Sequence, residues 1–340
     1  MSNSVPKSRG WKGWIKPALF FCLYYSGLEW LLARLIRADA AAILMYHGVC
    51  DDAPMPRHIN FHHQRASFER QMRVLKRRYR VVPLLEIVDA LRAKRTLNHC
   101  VALTLDDGYR NNILSAAPIL QRLSLPFTIF VATAYVDSGA WMPLNELYWR
   151  WFAGVLTAAE MERFREQLRG RPGSDSRPLV EELRSRPVAA TAAAEESFAM
   201  LSWDEINALA NSGVDFGSHT HTHCNMAVED RTAQQAELEM SKSLLESRLE
   251  RPTRTFAYPY GRAEHMSEGS RRAVIAAGFD CAISAEYGVV TSRSDPFRLP
   301  RLGSGAPIWM FSGELLYQFA REATRASVAK LRGEAHRQHA

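Results

Sequence analysis

Cysteine is scarce and unpaired in this sequence. Cys22, Cys50, Cys100, Cys224 and Cys281 make five among 340 residues, an odd number with no two close together. Such spacing excludes a disulfide framework and a cysteine-type zinc knuckle, and reduced thiols favour a cytoplasmic location. Long apolar runs are missing too. The nearest approach, WIKPALFFCLYYSGLEWLLARLI, is interrupted by Glu29 and Arg34 before it reaches the ~20 residues of a spanning helix. A signal peptide would need a small-residue cleavage site directly after the run. SGLEW is a poor one, and ADA at 38–40 lies too far downstream. The segment reads first as an interfacial amphipathic helix and second as an uncleaved anchor. A signal peptide and a plain buried helix are the remaining readings.

The body of the chain also lacks net charge. Residues 1–40 carry six Lys/Arg against Glu29 and Asp39, and residues 321–340 carry five against two. The overall +7 is thereby accounted for, and residues 41–320 are neutral. A neutral body gives no electrostatic argument for nucleic acid, whereas basic ends suit contact with a membrane surface, so the chain is expected to be cytoplasmic or peripheral to the inner membrane. No internal repeat is present.

What is there is alternation. AAILMYHGV, CVALTLDDGY, LPFTIFVAT, VDFGSH, TFAYPY and CAISA read as strands. Between them SFERQMRVLKRRY, APILQRLS, SWDEINALANSG, residues 230–250 and SRRAVIAAGF have helical spacing. Ser202 and Glu205 stand at capping-box distance, and Gly213 stops the same helix. Strands alternating with helices predict an α/β fold with a mainly parallel sheet, its active residues at the C-terminal strand ends. Residues 145–200 break the rhythm and predict a helical insertion whose middle, RPGSDSRP, is flexible.

Two strand ends carry chemistry. In TLDDGY, Asp106 and Asp107 precede Gly108. Successive strand residues face opposite ways, so both acids serve one site only where glycine bends the chain; an isolated DDG is more often a capped turn. In HTHTH, His219 and His223 are four apart, and a turn would bring both rings to one side. Two imidazoles and a carboxylate form a divalent-metal set with positions left open. His221 should point away, as a solvent-facing or supporting residue. FAYPYG is a third strand end, where the Pro259–Tyr260–Gly261 turn can aim a backbone N–H at a developing oxyanion.

Together these ordered motifs resemble the polysaccharide deacetylases of carbohydrate esterase family 4, the NodB-homology domain, over roughly residues 41–310. TLDDGY is similar to that family's Thr-Phe-Asp-Asp-Gly motif with Leu105 in place of Phe, HTHTH to its His-(Ser/Thr)-x-x-His motif, and FAYPYG to its third motif. The resemblance implies a distorted (β/α) barrel with a helical insertion. It implies Asp107, His219 and His223 as ligands of a divalent metal, zinc first with cobalt or nickel as alternatives. It further implies Asp106 as general base and the Tyr260 backbone N–H as oxyanion donor. Residues 1–40 would precede the catalytic domain as a basic, aromatic segment, and residues 311–340 would follow it as a basic helix and tail.

The chain departs from the family pattern in three places. No Leu-x-His motif occurs near the C-terminal end, but His47 ends the first strand and resembles the N-terminal histidine of exopolysaccharide deacetylases acting on poly-N-acetylglucosamine-like polymers. His47 is therefore the expected general acid, against a histidine that merely packs at the barrel rim. Ala257 stands where many relatives carry an arginine that orients the catalytic acid, and the Asp-x-x-Asp-Trp motif is absent. Arg301, at another strand end, is the candidate replacement, against a surface salt bridge. Trp141, Pro259 and Arg301 are expected on the substrate side, whereas Tyr148 and Trp149 are expected to be buried.

The implied activity is a metal-dependent N-deacetylase of an exopolysaccharide or cell-envelope glycan, releasing acetate. Deacetylation or deformylation of a lipid-linked sugar is the alternative within the fold. A non-catalytic carbohydrate-binding scaffold is the alternative of another class, and the complete set of acids and histidines argues against it.

Overall fold

The computed structural model describes residues 12–51, 62–304 and 307–338. Seven parallel strands close into a barrel: β1 (Ala40–Tyr46), β2 (Cys100–Leu105), β3 (Thr128–Val131), β4 (Asp215–Ser218), β5 (Thr255–Ala257), β6 (Cys281–Tyr287) and β7 (Leu299–Gly303). Each strand pairs with its neighbour in sequence, and β1 closes the ring by pairing with β7 on one side and β2 on the other. The segments Val290–Thr291 and Arg80–Val81 extend the sheet beside β1 and β2.

The alternation of strand side chains divides the core into two layers. Ala41, Ile43, Ala102, Phe130, Ala257, Ile283 and Leu299 pack together inside the barrel. A ring of seven strands is narrow, and three of these seven residues are alanines. Residues of helix Leu84–Arg92 join the same cluster beside Ala41 and Cys100, and so close the N-terminal end. The opposite faces, with Ala42, Leu44, Val101, Leu103 and Ile129, pack against the surrounding helices. Inward positions alternate upward along β2 through Ala102 and Thr104 to Asp106, so the interior becomes polar only at the C-terminal end. A register irregularity in β7 between Leu299 and Arg301 accompanies the arginine at the same level.

The insertion between β3 and β4 is helical, comprising Pro143–Phe152, Ala158–Gly170, Gly173–Arg184 and Ala192–Phe198. Its expected flexible middle is not seen: RPGSDSRP instead begins helix Gly173–Arg184, and the Gly173 N–H donates to Glu229 at 2.7 Å. The N-terminal segment forms two helices, Lys12–Tyr25 and Leu28–Leu35, packed with the long helix Ile308–Gln338. Glu29 interrupts the apolar run for a structural reason. It is fully buried, pairs with Arg78 at 2.8 Å and accepts a hydrogen bond from Ser312. Among the described residues no single helix is long and apolar enough to cross a membrane; only the two N-terminal helices together have that length and composition, and they are bent by 95°. All five cysteines are free, and Cys22 alone is exposed.

Candidate active site

A cavity of about 890 Å³ opens at the C-terminal end of the barrel. His47 follows β1 on its wall, Asp106 and Asp107 follow β2, and His219 and His223 follow β4; Tyr260 follows β5, and Arg301 sits on β7. Seven of the nine residues singled out from the sequence therefore meet in one place.

The chain bends sharply to achieve this. Asp107 has φ 75° and Gly108 φ 80°, so the two adjacent acids both reach the site instead of opposite faces. A Cβ on Gly108 would lie 2.8 Å from Val131 Cγ1. His223 and Tyr260 are also left-handed, at φ 58° and 61°. Such conformations cost ~1–3 kcal/mol each and persist where the surroundings over-determine them. Glu237 provides part of that constraint, accepting hydrogen bonds from the backbone N–H groups of His221 and Thr222, both at 2.8 Å.

Asp107, His219 and His223 bring one ligand atom each within 4.8 Å of one another and could hold a metal ion. One Asp107 oxygen lies 3.4 Å from His219 Nε2 and 3.2 Å from His223 Nε2. The His219 Nδ1–H donates to the Ala257 carbonyl at 2.7 Å, which leaves Nε2 facing the carboxylate; this backbone support is typical of metal-ligating histidines. Burial holds the His223 imidazole below its ordinary pKa and so favours the neutral form a metal requires. Burial would raise the Asp107 carboxyl, but the His219 and His223 contacts prevail and hold it well below the usual carboxylate range. Among the described residues no lysine or arginine pairs with Asp107, so a cation would fit this buried carboxylate and its two imidazoles. His221 is not in the set; its Nδ1 lies 2.9 Å from Thr133 Oγ1.

Asp106 is compensated differently. Arg301 Nη1 donates to one carboxylate oxygen and Nη2 to the other, both at 2.7 Å. The remaining guanidinium donors reach the Ser284 carbonyl at 2.8 Å and Thr104 Oγ1 at 3.2 Å. Burial pushes the Asp106 carboxyl up, and the neighbouring Arg301 charge outweighs it, so the acid is held below its ordinary pKa and ionised. Arg301 is thus neither a surface bridge nor positioned primarily for substrate. Its guanidinium is committed to Asp106, while Ala257 on β5 has only a methyl to offer.

Two expectations are corrected in placement. The Trp141 ring packs 5.4 Å from that of Phe198 within an insertion cluster, and Met142, Tyr148 and Trp151 face the cavity instead. Pro259 is buried behind the turn, where its carbonyl accepts the Gly261 N–H at 2.7 Å; it shapes the turn while Tyr260 faces the cavity. Among the described residues no backbone carbonyl accepts the Tyr260 N–H. Sequence reasoning missed Tyr109, Asn145, Arg165, Arg169 and Arg262 on the walls. Arg165 and Arg169, four apart on a capped helix, were the one readable signal among them.

The sequence pattern of the family described as Polysaccharide deacetylase matches residues 93–282. The chain belongs to the polysaccharide deacetylase family. It is accordingly a hydrolase of non-peptide carbon–nitrogen bonds. The match begins after His47 and ends before Arg301, so the two atypical members of this deacetylase's site both lie outside it. Three solved structures share the barrel. The Streptococcus pyogenes deacetylase PplD in complex with acetate is 18% identical at a TM-score of 0.59, with 82% of this chain and 98% of that chain covered. IcaB from Ammonifex degensii is 20% identical at 0.55, with 82% and 97% covered. BC0361, a polysaccharide deacetylase from Bacillus cereus, is 19% identical at 0.56, with 81% and 69% covered. At these identities the likeness concerns the fold. No curated protein sequence matches the chain.

Proposed function

We propose that this deacetylase removes acetyl groups from an N-acetylated glycan in a metal-dependent hydrolysis. The observation that carries the reading is the division of labour between two adjacent acids, Asp107 among imidazoles and Asp106 against a guanidinium. Asp107, His219 and His223 would hold the ion, and the donor set of two imidazoles and one carboxylate suits zinc. A divalent cation there supplies Lewis acidity towards a carbonyl and towards water.

The chain's own groups complete the reaction. Asp106, kept ionised by Arg301, takes a proton from the water that attacks the acetamide carbon. The Tyr260 N–H donates to the carbonyl oxygen as negative charge develops on it. His47, after β1 on the cavity wall, donates a proton to the departing amine, and acetate and a free amino sugar result. Acetate release from N-acetylglucosamine oligomers, with and without prior chelation, tests this reading. Release that persists after complete metal removal would contradict it.

We also propose that the N-terminal helix pair rests on an anionic membrane surface. Ile15, Leu19, Tyr25, Leu28, Leu31 and Leu35 are exposed on it, with Arg34 over the Trp30 ring at 3.8 Å. An apolar face with basic and aromatic residues suits an interface, and this favours a lipid-linked sugar as the second substrate class. The protein should co-sediment with phosphatidylglycerol vesicles, and Leu31→Glu with Leu35→Glu should release it. Binding that the double variant does not weaken would exclude this surface.

A further inference from the structure

The cavity has two unlike walls. At the barrel end, Asp106 is matched by Arg301, and Asp107 faces two imidazoles. The other wall is built by helix Ala158–Gly170 of the insertion and by the turn after Tyr260. It presents Arg165, Arg169 and Arg262, with Glu264 as the acid among them. Arg165 is paired with Glu162 one turn earlier on its own helix. Arg169 and Arg262 have no carboxylate partner among the described residues, and they outnumber Glu264.

Arg169 stands close to the reacting centre. Its guanidinium lies 5.0 Å from the Tyr260 ring centroid, and that ring lies 5.0 Å from the His223 ring. The Arg169 Nε is shut off from solvent and has no hydrogen-bond acceptor, and Nδ1 of His265, whose ring is 5.2 Å from Tyr260, is buried with no hydrogen-bond partner. A buried polar group left unsatisfied costs ~1–3 kcal/mol. The Arg169 guanidinium, with its Nε unsatisfied, and the Arg262 guanidinium share one cavity wall and form a receptor for an acceptor that the chain itself does not supply. Arginine's planar fork matches a carboxylate or phosphate with two parallel hydrogen bonds.

We propose that this wall binds an anionic substituent of the substrate, a phosphate or carboxylate adjoining the N-acetylated sugar, through Arg169 and Arg262. The proposal rests on the deacetylase reading of the same cavity and narrows its substrate class to acidic glycans. A neutral homopolymer of N-acetylglucosamine offers these donors hydroxyl and amide oxygens but no charged acceptor.

Three substrates test it by acetate release: a neutral N-acetylglucosamine tetramer, the same tetramer ending in a phosphodiester, and a tetramer with glucuronate beside the N-acetylated unit. Wild type should prefer one acidic substrate over the neutral one by about tenfold or more in kcat/KM, as expected for a charge-assisted hydrogen bond. Which acidic substrate is preferred identifies phosphate or carboxylate as the source. In the Arg169→Gln/Arg262→Gln variant that ratio should fall towards one, whereas a merely structural role would lower both rates and leave the ratio in place. Equal kcat/KM on all three substrates, or a ratio the variant does not move, overturns the proposal. Calorimetry with inorganic pyrophosphate supplies a readout independent of turnover. Its affinity should weaken about tenfold in the variant through loss of the same charge-assisted bonds, and undiminished binding overturns the subsite. Should no substrate release acetate while pyrophosphate binding still depends on the two arginines, the deacetylase reading fails and the anion subsite stands.

Discussion

Arg301 and Asp106 form a two-pronged ion pair at the mouth of the barrel, both prongs 2.7 Å long and the side chains only 1% and 2% exposed. The pair joins β7 to the end of β2, the two strands that flank β1. It keeps a buried carboxylate ionised where burial alone would favour its neutral form.

Removing the guanidinium should therefore act through Asp106. The folded carboxyl is depressed below its unfolded value, so the pair stabilises the protein above about pH 4 and loses that contribution as pH falls through the folded value. In Arg301→Gln the opposing effect of burial is left alone, and the Asp106 pKa rises. The acid limb of kcat/KM should move to higher pH, with activity at pH 5 falling more than at pH 8. At neutral pH the loss should be about 10²-fold, the scale of an impaired general base. A folded variant whose acid limb stays in place would count against the assignment.

The three histidines of HTHTH should separate by metal content. His223→Ala should lower metal affinity by more than about 100-fold, since removing a ligand exceeds the effect of removing its support. His221→Ala forfeits one hydrogen bond to Thr133, worth ~0.5–1.5 kcal/mol of stability, and should retain its ion. Elemental analysis of the purified proteins decides, and equal metal loss in both would dismiss the division.

Gly108→Ala should be disproportionately harmful for so small a change. The residue has φ 80°, and the new Cβ would approach Val131 Cγ1 to 2.8 Å. We expect at least ~1–3 kcal/mol of destabilisation by denaturant titration, with loss of activity because Asp107 is the preceding residue. A variant as stable and active as wild type would mean that the bend does not need glycine.

The N-terminal helices should depend on one buried pair. Glu29→Ala leaves Arg78 without its carboxylate, and breaking a buried pair from one side costs ~3–5 kcal/mol. Limited proteolysis should then cut between the two N-terminal helices and the body far sooner than in wild type. Unchanged resistance would show that apolar contacts alone hold the segment.

The strands, the alternation and the convergence of His219 with His223 were readable because each rests on local pattern. CVALTL is apolar except at Thr104 because it is buried on both faces, and HxxxH places two rings on one side of a turn. Ser202 and Glu205 also form the capping box their spacing implied. The partner of Asp106 was only half readable: Arg301 lies 195 residues away, and its guanidinium could be assigned to a missing role but not aimed. Trp141 was misread for a related reason. A tryptophan beside a proline-led helix can face a cavity or a core, and here the Phe198 ring, 57 residues onward in the chain, takes it into a core. Local patterns also do not disclose that an insertion folds back over the site, which is why Arg165 and Arg169 were overlooked.

The most direct test of the account compares Asp106→Asn with wild type for both bound metal and acetate release from N-acetylglucosamine oligomers. The account predicts a full complement of metal and turnover reduced by about 10²–10⁴-fold, the contribution of a positioned general base. Turnover close to that of wild type, or loss of metal together with activity, would contradict the separate roles assigned to Asp106 and Asp107.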